Sequence, residues 1–131
     1  MDPVVHFELP CDDRERISRF YSQVFGWKYE MYGPEMGNYV VVTTADQDGR
    51  PDGKRGAIGG GFYTRTKDMP AQFPGIVIAV QDIRAAMKKI NDAGGKVMGE
   101  PMDIPMVGAY VSFMDTEGNR NSVLQPLPMG Q

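Results

Sequence analysis

The feature that most narrows what this chain can become is a set of landmarks recurring at one spacing. Asp13 precedes a segment whose apolar residues Ile17, Phe20, Tyr21 and Val24 follow helical periodicity, and Gly26 ends it. An acidic cap and a terminating glycine are what a helix needs at its two ends. Sixty-nine residues later the signals return as Asp82, then Ile83, Ala86, Met87 and Ile90, then Gly94-Gly95. Phe7 with Ile76, Leu9 with Ile78, Tyr21 with Ile90 and Val24 with Ala93 share that offset. Caps, terminating glycines and apolar positions agreeing on one spacing imply an internal duplication.

The segments flanking each helix read as strands. Val5, Phe7 and Leu9 fall on one face of an extended segment, and His6, Glu8 and Pro10 on the other. Ile76 to Val80 is its counterpart. After the first helix, whose cap is Asp12 or Asp13, come Lys28 to Met31, "NYVVVTT" (38–44) and "GAIGGGFYT" (56–64). After the second come Lys96 to Met98, "AYVSFMD" (109–115) and "NSVLQP" (121–126). Each half is therefore βαβββ, and the expected fold class is α+β with two tandem modules in one domain over 1–131. Module 1 covers about 4–64, a linker 65–74, and module 2 about 75–127. "ADQDGRPDGKRG" (45–56) reads as a long polar hairpin connection, and "TEGN" (116–119) as its tight counterpart.

Composition removes several classes. A formal charge of −3 with scattered basic residues gives no footprint for nucleic acid. No apolar run approaches the roughly 20 residues of a membrane helix. Met1-Asp2-Pro3 lacks the pattern of a secretory signal, and Cys11, the single cysteine, has no internal disulfide partner. The expectation is a cytoplasmic protein with neither nucleic-acid nor membrane partners.

"HFELPCDDRERISRFYSQVFGW" (6–27), "VQDIRAAMKKINDAGGKV" (80–97) and "DTEGNRNSVLQP" (115–126) together resemble the vicinal oxygen chelate superfamily, which includes glyoxalase, bleomycin-resistance and extradiol-dioxygenase proteins. The resemblance covers nearly the whole chain and is strongest to small glyoxalase-like members. It implies a half-barrel around a small-molecule cavity, and a homodimer. In metal-dependent members the resemblance implies four ligands, two per module, from the first and last strands. A divalent ion with open positions would there stabilise developing charge.

His6 stands in the first such slot. Its partner at the 69-residue offset is Gly75, and nothing from Pro74 to Val80 binds a hard or borderline cation. Gly56 to Thr64 contains no Asp, Glu, His or Cys. In the last strand Ser122 takes the slot, while Asn121 and Gln125 alternate onto the opposite face. No metal or other cofactor is therefore expected. A divalent ion completed by loop acids such as Glu35 or Asp103 is the alternative.

His6 and Glu8, two residues apart on one face, are the candidate catalytic pair, a base and an orienting acid. Tyr39, Val41, Phe62, Tyr110, Ser112, Ser122 and Leu124 are the candidate ligand-pocket residues, with Val40, Val42, Val111 and Phe113 turned to the core. "GEPMDIPMVG" (99–108) is expected to be a loop at the cavity mouth. "DQDGRPDG" (46–53) lacks the closing Glu of a calcium loop, and "GKRGAIGGG" (53–61) lacks the Ser or Thr of a phosphate loop. The glycines are expected to serve sheet curvature or close backbone approach to a ligand. The functional expectation is a glyoxalase-like protein binding a small molecule without the usual metal. The alternatives are a lactoylglutathione-lyase-like or isomerase enzyme using His6 and Glu8, and a ligand-sequestering protein of the bleomycin-resistance type.

Overall fold

A computed structural model describes residues 1–45 and 57–128, and the alternation that begins the chain forms strand β1 (Val4–Cys11) there. The helix that follows, α1 (Arg14–Phe25), is capped by Asp13 rather than Asp12. The Asp13 carboxylate accepts a hydrogen bond from Arg16 N at 3.0 Å, which holds its carboxyl below the ordinary aspartate value. Gly26, at φ 76°, ends the helix in the left-handed conformation that glycine adopts without strain, its N–H donating to Ser22 O. The chain continues through β2 (Lys28–Met31), a 3-10 turn at 34–36, β3 (Val40–Thr43) and β4 (Gly59–Thr64). The connection expected over 45–56 and the acidic segment 46–53 lie, apart from Ala45, outside the described residues.

The second half repeats the pattern. Strand β5 (Gly75–Ala79) leads to α2 (Ile83–Asp92), where Asp82 accepts from Ala85 N at 3.1 Å. Then come β6 (Lys96–Val97), β7 (Met102–Ile104), β8 (Gly108–Met114) and β9 (Arg120–Pro126). The chain divides into two units, residues 5–74 and residues 1–4 with 75 onward.

Within the first unit the strand order is β2-β3-β4-β1, with β4 and β1 parallel. Within the second it is β6-β8-β9-β5, with β9 and β5 parallel. The duplication is thus a duplication of topology. Its register agrees too: β1 sets Glu8 beside Gly61, and β5 sets Val77, at the 69-residue offset from Glu8, beside Ser122.

Segment 99–108 differs from the expected loop. Met102, Asp103 and Ile104 pair with Tyr110, Ala109 and Gly108, and Val107 N closes the turn on Ile104 O. Strand β6 covers only the far end of β8, and the free ladder positions draw in the three residues between Pro101 and Pro105. Prolines flanking so short a strand disguise it as a loop.

Each helix covers one face of its own sheet. In the first unit Cys11, Val40, Val42 and Phe62 are buried, with Phe7, Leu9, Ile17, Tyr21 and Trp27 packed around them. Tyr21 stacks on Trp27 with ring centroids 4.6 Å apart. Of the periodic residues in α1, Ile17 and Tyr21 reach this core, whereas Phe20 and Val24 are exposed. They form a separate i, i+4 row, turned away from the sheet. Burial raises the pKa of the Cys11 thiol, which disfavours the thiolate. In the second unit Val80, Ile83, Val111, Phe113 and Val123 form an apolar core against which Ala86, Met87 and Ile90 pack.

The 116–119 turn is tied by Asp115, whose carboxylate accepts from Glu117 N at 2.8 Å, Asn119 N at 2.9 Å and Asn119 Nδ2 at 3.0 Å. These bonds favour the charged form and lower its pKa, those from Asn119 most strongly.

Two outcomes follow. Asp82→Ala removes the cap of α2 and is expected to cost about 1 kcal/mol in chemical denaturation. A carboxyl with a depressed folded pKa contributes stability that is full above its unfolded value, about 4, and is lost as pH falls through the folded value. Asp115→Asn should therefore be less stable than wild type at neutral pH, and the gap should close in denaturation curves taken at progressively lower pH.

Candidate functional site

The face of β1 turned away from α1 carries His6 and Glu8. Between them comes Tyr39, the residue before β3, whose hydroxyl lies 3.2 Å from His6 Nε2 and donates to Glu8 Oε2 at 3.0 Å. The register makes this meeting possible. Gly61 sits between Glu8 on β1 and Val41 on β3, and the Tyr39 phenol crosses directly above it. A Cβ at position 61 would overlap the Tyr39 hydroxyl and ring. On the opposite face, a Cβ at position 60 would overlap the ring of Phe7. The glycines expected to serve sheet curvature or close backbone approach to a ligand admit, at positions 60 and 61, the protein's own aromatic side chains, one on each face of the sheet.

The second unit builds a related cluster from hydroxyls alone. Ser112 and Ser122 are paired across β8 and β9, their Oγ atoms 3.0 Å apart, and Ser122 donates to the Tyr110 hydroxyl at 2.7 Å. Ser122 is 2% exposed, so these bonds spare a buried hydroxyl the cost of going unpaired. Leu124, opposite Tyr110 in the ladder, lies on the same strand face. Val41 likewise shares the Tyr39 face, next to Gly61.

Tyr39 and Tyr110 are counterparts by pairing: Gly61 faces Val41 as Ser122 faces Ser112, and each tyrosine precedes that pair by two residues. In both units a phenol lies at the same ladder position, over a glycine in one and on a serine in the other.

Phe62 departs from its expected place. It is fully buried with Val40 and Val42, across from Val40 in the ladder, and lines no ligand face. It alternates with Gly61, so the face that Gly61 gives to Tyr39 turns Phe62 toward α1. There the side chain gains about 2 to 3 kcal/mol from burial. The hydrogen-bonded trio is what sequence reasoning missed. Its one sequence signal is Gly61, a side-chain-free position in a strand interior within reach of a tyrosine.

The donor set does not fit a catalytic divalent ion. Among the described residues no three His, Cys, Asp or Glu side chains come together. His6 and Glu8 share their polar atoms with Tyr39, position 61 has no side chain, and Ser122 supplies a neutral hydroxyl. Glu35 lies in the 3-10 turn against Gly33, and Asp103 in β7. Gln125 caps α2 by accepting from Ile83 N at 2.9 Å, and Asn121 accepts from Ile76 N at 3.1 Å. A separate open cleft of about 350 Å³ lies in the second unit between the β7–β8 turn and the end of β9. None of the candidate pocket residues lines it.

A model of the Glyoxalase/Bleomycin resistance protein/Dioxygenase superfamily matches residues 4–123. A glyoxylase-like domain-containing protein of Didymella fabae is 29% identical over 88% of each chain. A putative glyoxylase of Mycobacterium bovis is 31% identical over 92% of this chain, which spans only 43% of that relative's length. Among solved structures, methylmalonyl-CoA epimerase in complex with methylmalonyl-CoA and NH4+ superposes with a TM-score of 0.70 at 18% identity, over 96% of this chain and 95% of the other. A hypothetical protein of Bacillus halodurans does so at 0.68 and 11%, over 99% and 98%. At such identities the likeness is one of fold.

An alanine in a strand interior ordinarily stabilises relative to glycine by roughly 0.5 to 1 kcal/mol. At position 61 the sign should reverse. Gly61→Ala drives Tyr39 off both hydrogen bonds and is expected to destabilise by about 1 to 3 kcal/mol in denaturant titrations.

Proposed function

The chain belongs to the Glyoxalase/Bleomycin resistance protein/Dioxygenase superfamily, and on that footing we propose that it is a glyoxalase-like protein that binds a small organic molecule at the His6–Tyr39–Glu8 face without a resident divalent metal. The observation that carries this reading is the hydrogen-bonded trio itself. Three polar side chains converge on one sheet face, joined to each other where a metal-dependent relative would aim separate ligands at an ion. A few convergent polar groups are what orients a small ligand. The mycobacterial relatives, more than twice the length of this chain by coverage, are putative glyoxylases, and the name supports the same ligand class.

The chemistry open to the trio is proton transfer. A carboxylate and an imidazole bridged by a phenol can take a proton from a carbon beside a carbonyl and return one to the product, the step that a lyase or isomerase of this type requires. Without a cation, the developing oxyanion depends on hydrogen bonds alone. That favours a substrate whose carbon acid is already activated. The second reading, an enzyme using His6 and Glu8, rests on this connectivity. Homodimer formation and a cytoplasmic setting belong to the same proposal.

Elemental analysis of the purified protein, followed by calorimetry and turnover with the methylglyoxal–glutathione hemithioacetal, tests it. The expected result is saturable binding with zinc, nickel and iron well below one equivalent. Turnover lost in Glu8→Gln with binding retained would establish the enzyme, and binding without turnover a sequestering protein. Stoichiometric metal, with turnover abolished by chelation and in His6→Ala, would overturn the metal-free reading.

A further inference from the structure

We propose that Arg14 is a positioning residue for the His6–Tyr39–Glu8 face, its guanidinium clamping the turn that delivers Tyr39. Nη1 of Arg14 donates to Tyr32 O at 2.6 Å and to Asn38 O at 3.1 Å. These carbonyls stand at the two ends of the 33–38 turn, and Asn38 O belongs to the peptide group that joins Asn38 to Tyr39. A guanidinium nitrogen carries two N–H donors at fixed angles, so one rigid group ties both ends of the turn. Arg14 thus acts on His6 and Glu8 through the phenol that bridges them.

The local structure of α1 gives no reason for an arginine here. Arg14 opens the helix, where the dipole disfavours a cation. Its counterpart at the 69-residue offset, 14 + 69 = 83, is Ile83, buried in the core of the second unit. The two tyrosines differ in the same way. Tyr110 lies within β8, paired with Met102 on one side and Leu124 on the other. Tyr39 stands one residue before β3 and follows Asn38, a non-glycine residue at φ 58°. The turn closes on itself through Asn38 N to Gly33 O at 3.0 Å and Tyr32 N to Tyr39 O at 2.9 Å. A left-handed non-glycine conformation persists only where its surroundings hold it, and Arg14 adds a tether at that residue's own carbonyl. Strand pairing holds the tyrosine of the second unit, and a side-chain clamp from α1 holds that of the first.

His6 is the chain's only histidine, so its ring signals report on this face alone. The full chain, labelled with nitrogen-15 at histidine, is recorded without ligand as wild type, Arg14→Met, Tyr39→Phe and the double variant. Arg14→Met keeps an unbranched apolar stem and removes the donors, and its His6 signals should move from the wild-type position toward those of Tyr39→Phe. In the Tyr39→Phe background the same substitution should move them no further, since the phenol through which Arg14 acts is gone. Arg14→Lys keeps a cation with three donors and should return the signals toward wild type. Asp82→Ala, which weakens α2 in the other unit, should leave them in place. His6 signals unchanged in Arg14→Met would overturn the proposal, as would an equal shift in the Tyr39→Phe background or in Asp82→Ala. Should Arg14→Met fail to fold, Arg14→Gln, polar but too short to tie both carbonyls, replaces it with the same deciding outcomes. The consequence for ligand rests on the binding proposal: Arg14→Met should weaken calorimetric binding of the methylglyoxal–glutathione hemithioacetal roughly fivefold. A wild type that fails to bind the hemithioacetal counts against that proposal and leaves the His6 comparison to decide this one.

Discussion

Each unit depends on the parallel pairing of its first strand with its last. β1 lies on β4 and β5 on β9, with the helix and the middle strands inserted between them in the chain. A parallel pair cannot be joined by a tight turn and needs a long crossover, and the helix supplies it. Pairing first with last also fixes which residues share a face. It aligns Glu8 with Gly61 in the first unit and Val77 with Ser122 in the second, and so sets residues more than forty positions apart side by side within each unit.

Strand alternation then divides the labour. In the first unit one face delivers Phe7, Leu9, Val40, Val42 and Phe62 to an aromatic core under α1. The other face delivers His6, Glu8 and Tyr39. The two faces make opposite demands. The apolar face is stabilised by area removed from water, whereas each half-buried polar group on the other must find a partner or lose hydration without return. Tyr39 meets that demand for His6 and Glu8 together. In the second unit Ser122 and Tyr110 meet it with hydroxyls, so that the duplicated halves solve one packing problem with different chemistry.

Much of this was legible in the linear sequence because strand and helix periods are local. The caps at Asp13 and Asp82, the terminating Gly26 and the core positions of the second helix follow from residues within a few places of each other. Assigning Val40, Val42, Val111 and Phe113 to the core follows from alternation, and the structure agrees. Three readings needed information that is not local. Phe62 reads as a pocket residue until the register of the glycine-rich strand, which its own sequence does not encode, turns it to the core beside Val40. β7 reads as a loop in the sequence because its reason to be extended is the part of β8 that β6 leaves uncovered. Phe20 and Val24 matched a helical pattern, and the sheet they would have faced is covered by the neighbouring row of α1.

By itself the sequence determined the duplication, the order of both helices and of every strand but β7, and the presence of His6 and Glu8 on one strand face, all consequences of short-range periodicity and one repeated spacing. The tertiary structure alone decided that Tyr39 lies across Gly61 and joins His6 to Glu8. That contact spans more than thirty residues of chain. It exists only because β1, β4 and β3 pair in a register that leaves one glycine beneath the phenol, and no local pattern encodes where a ring arrives from another strand.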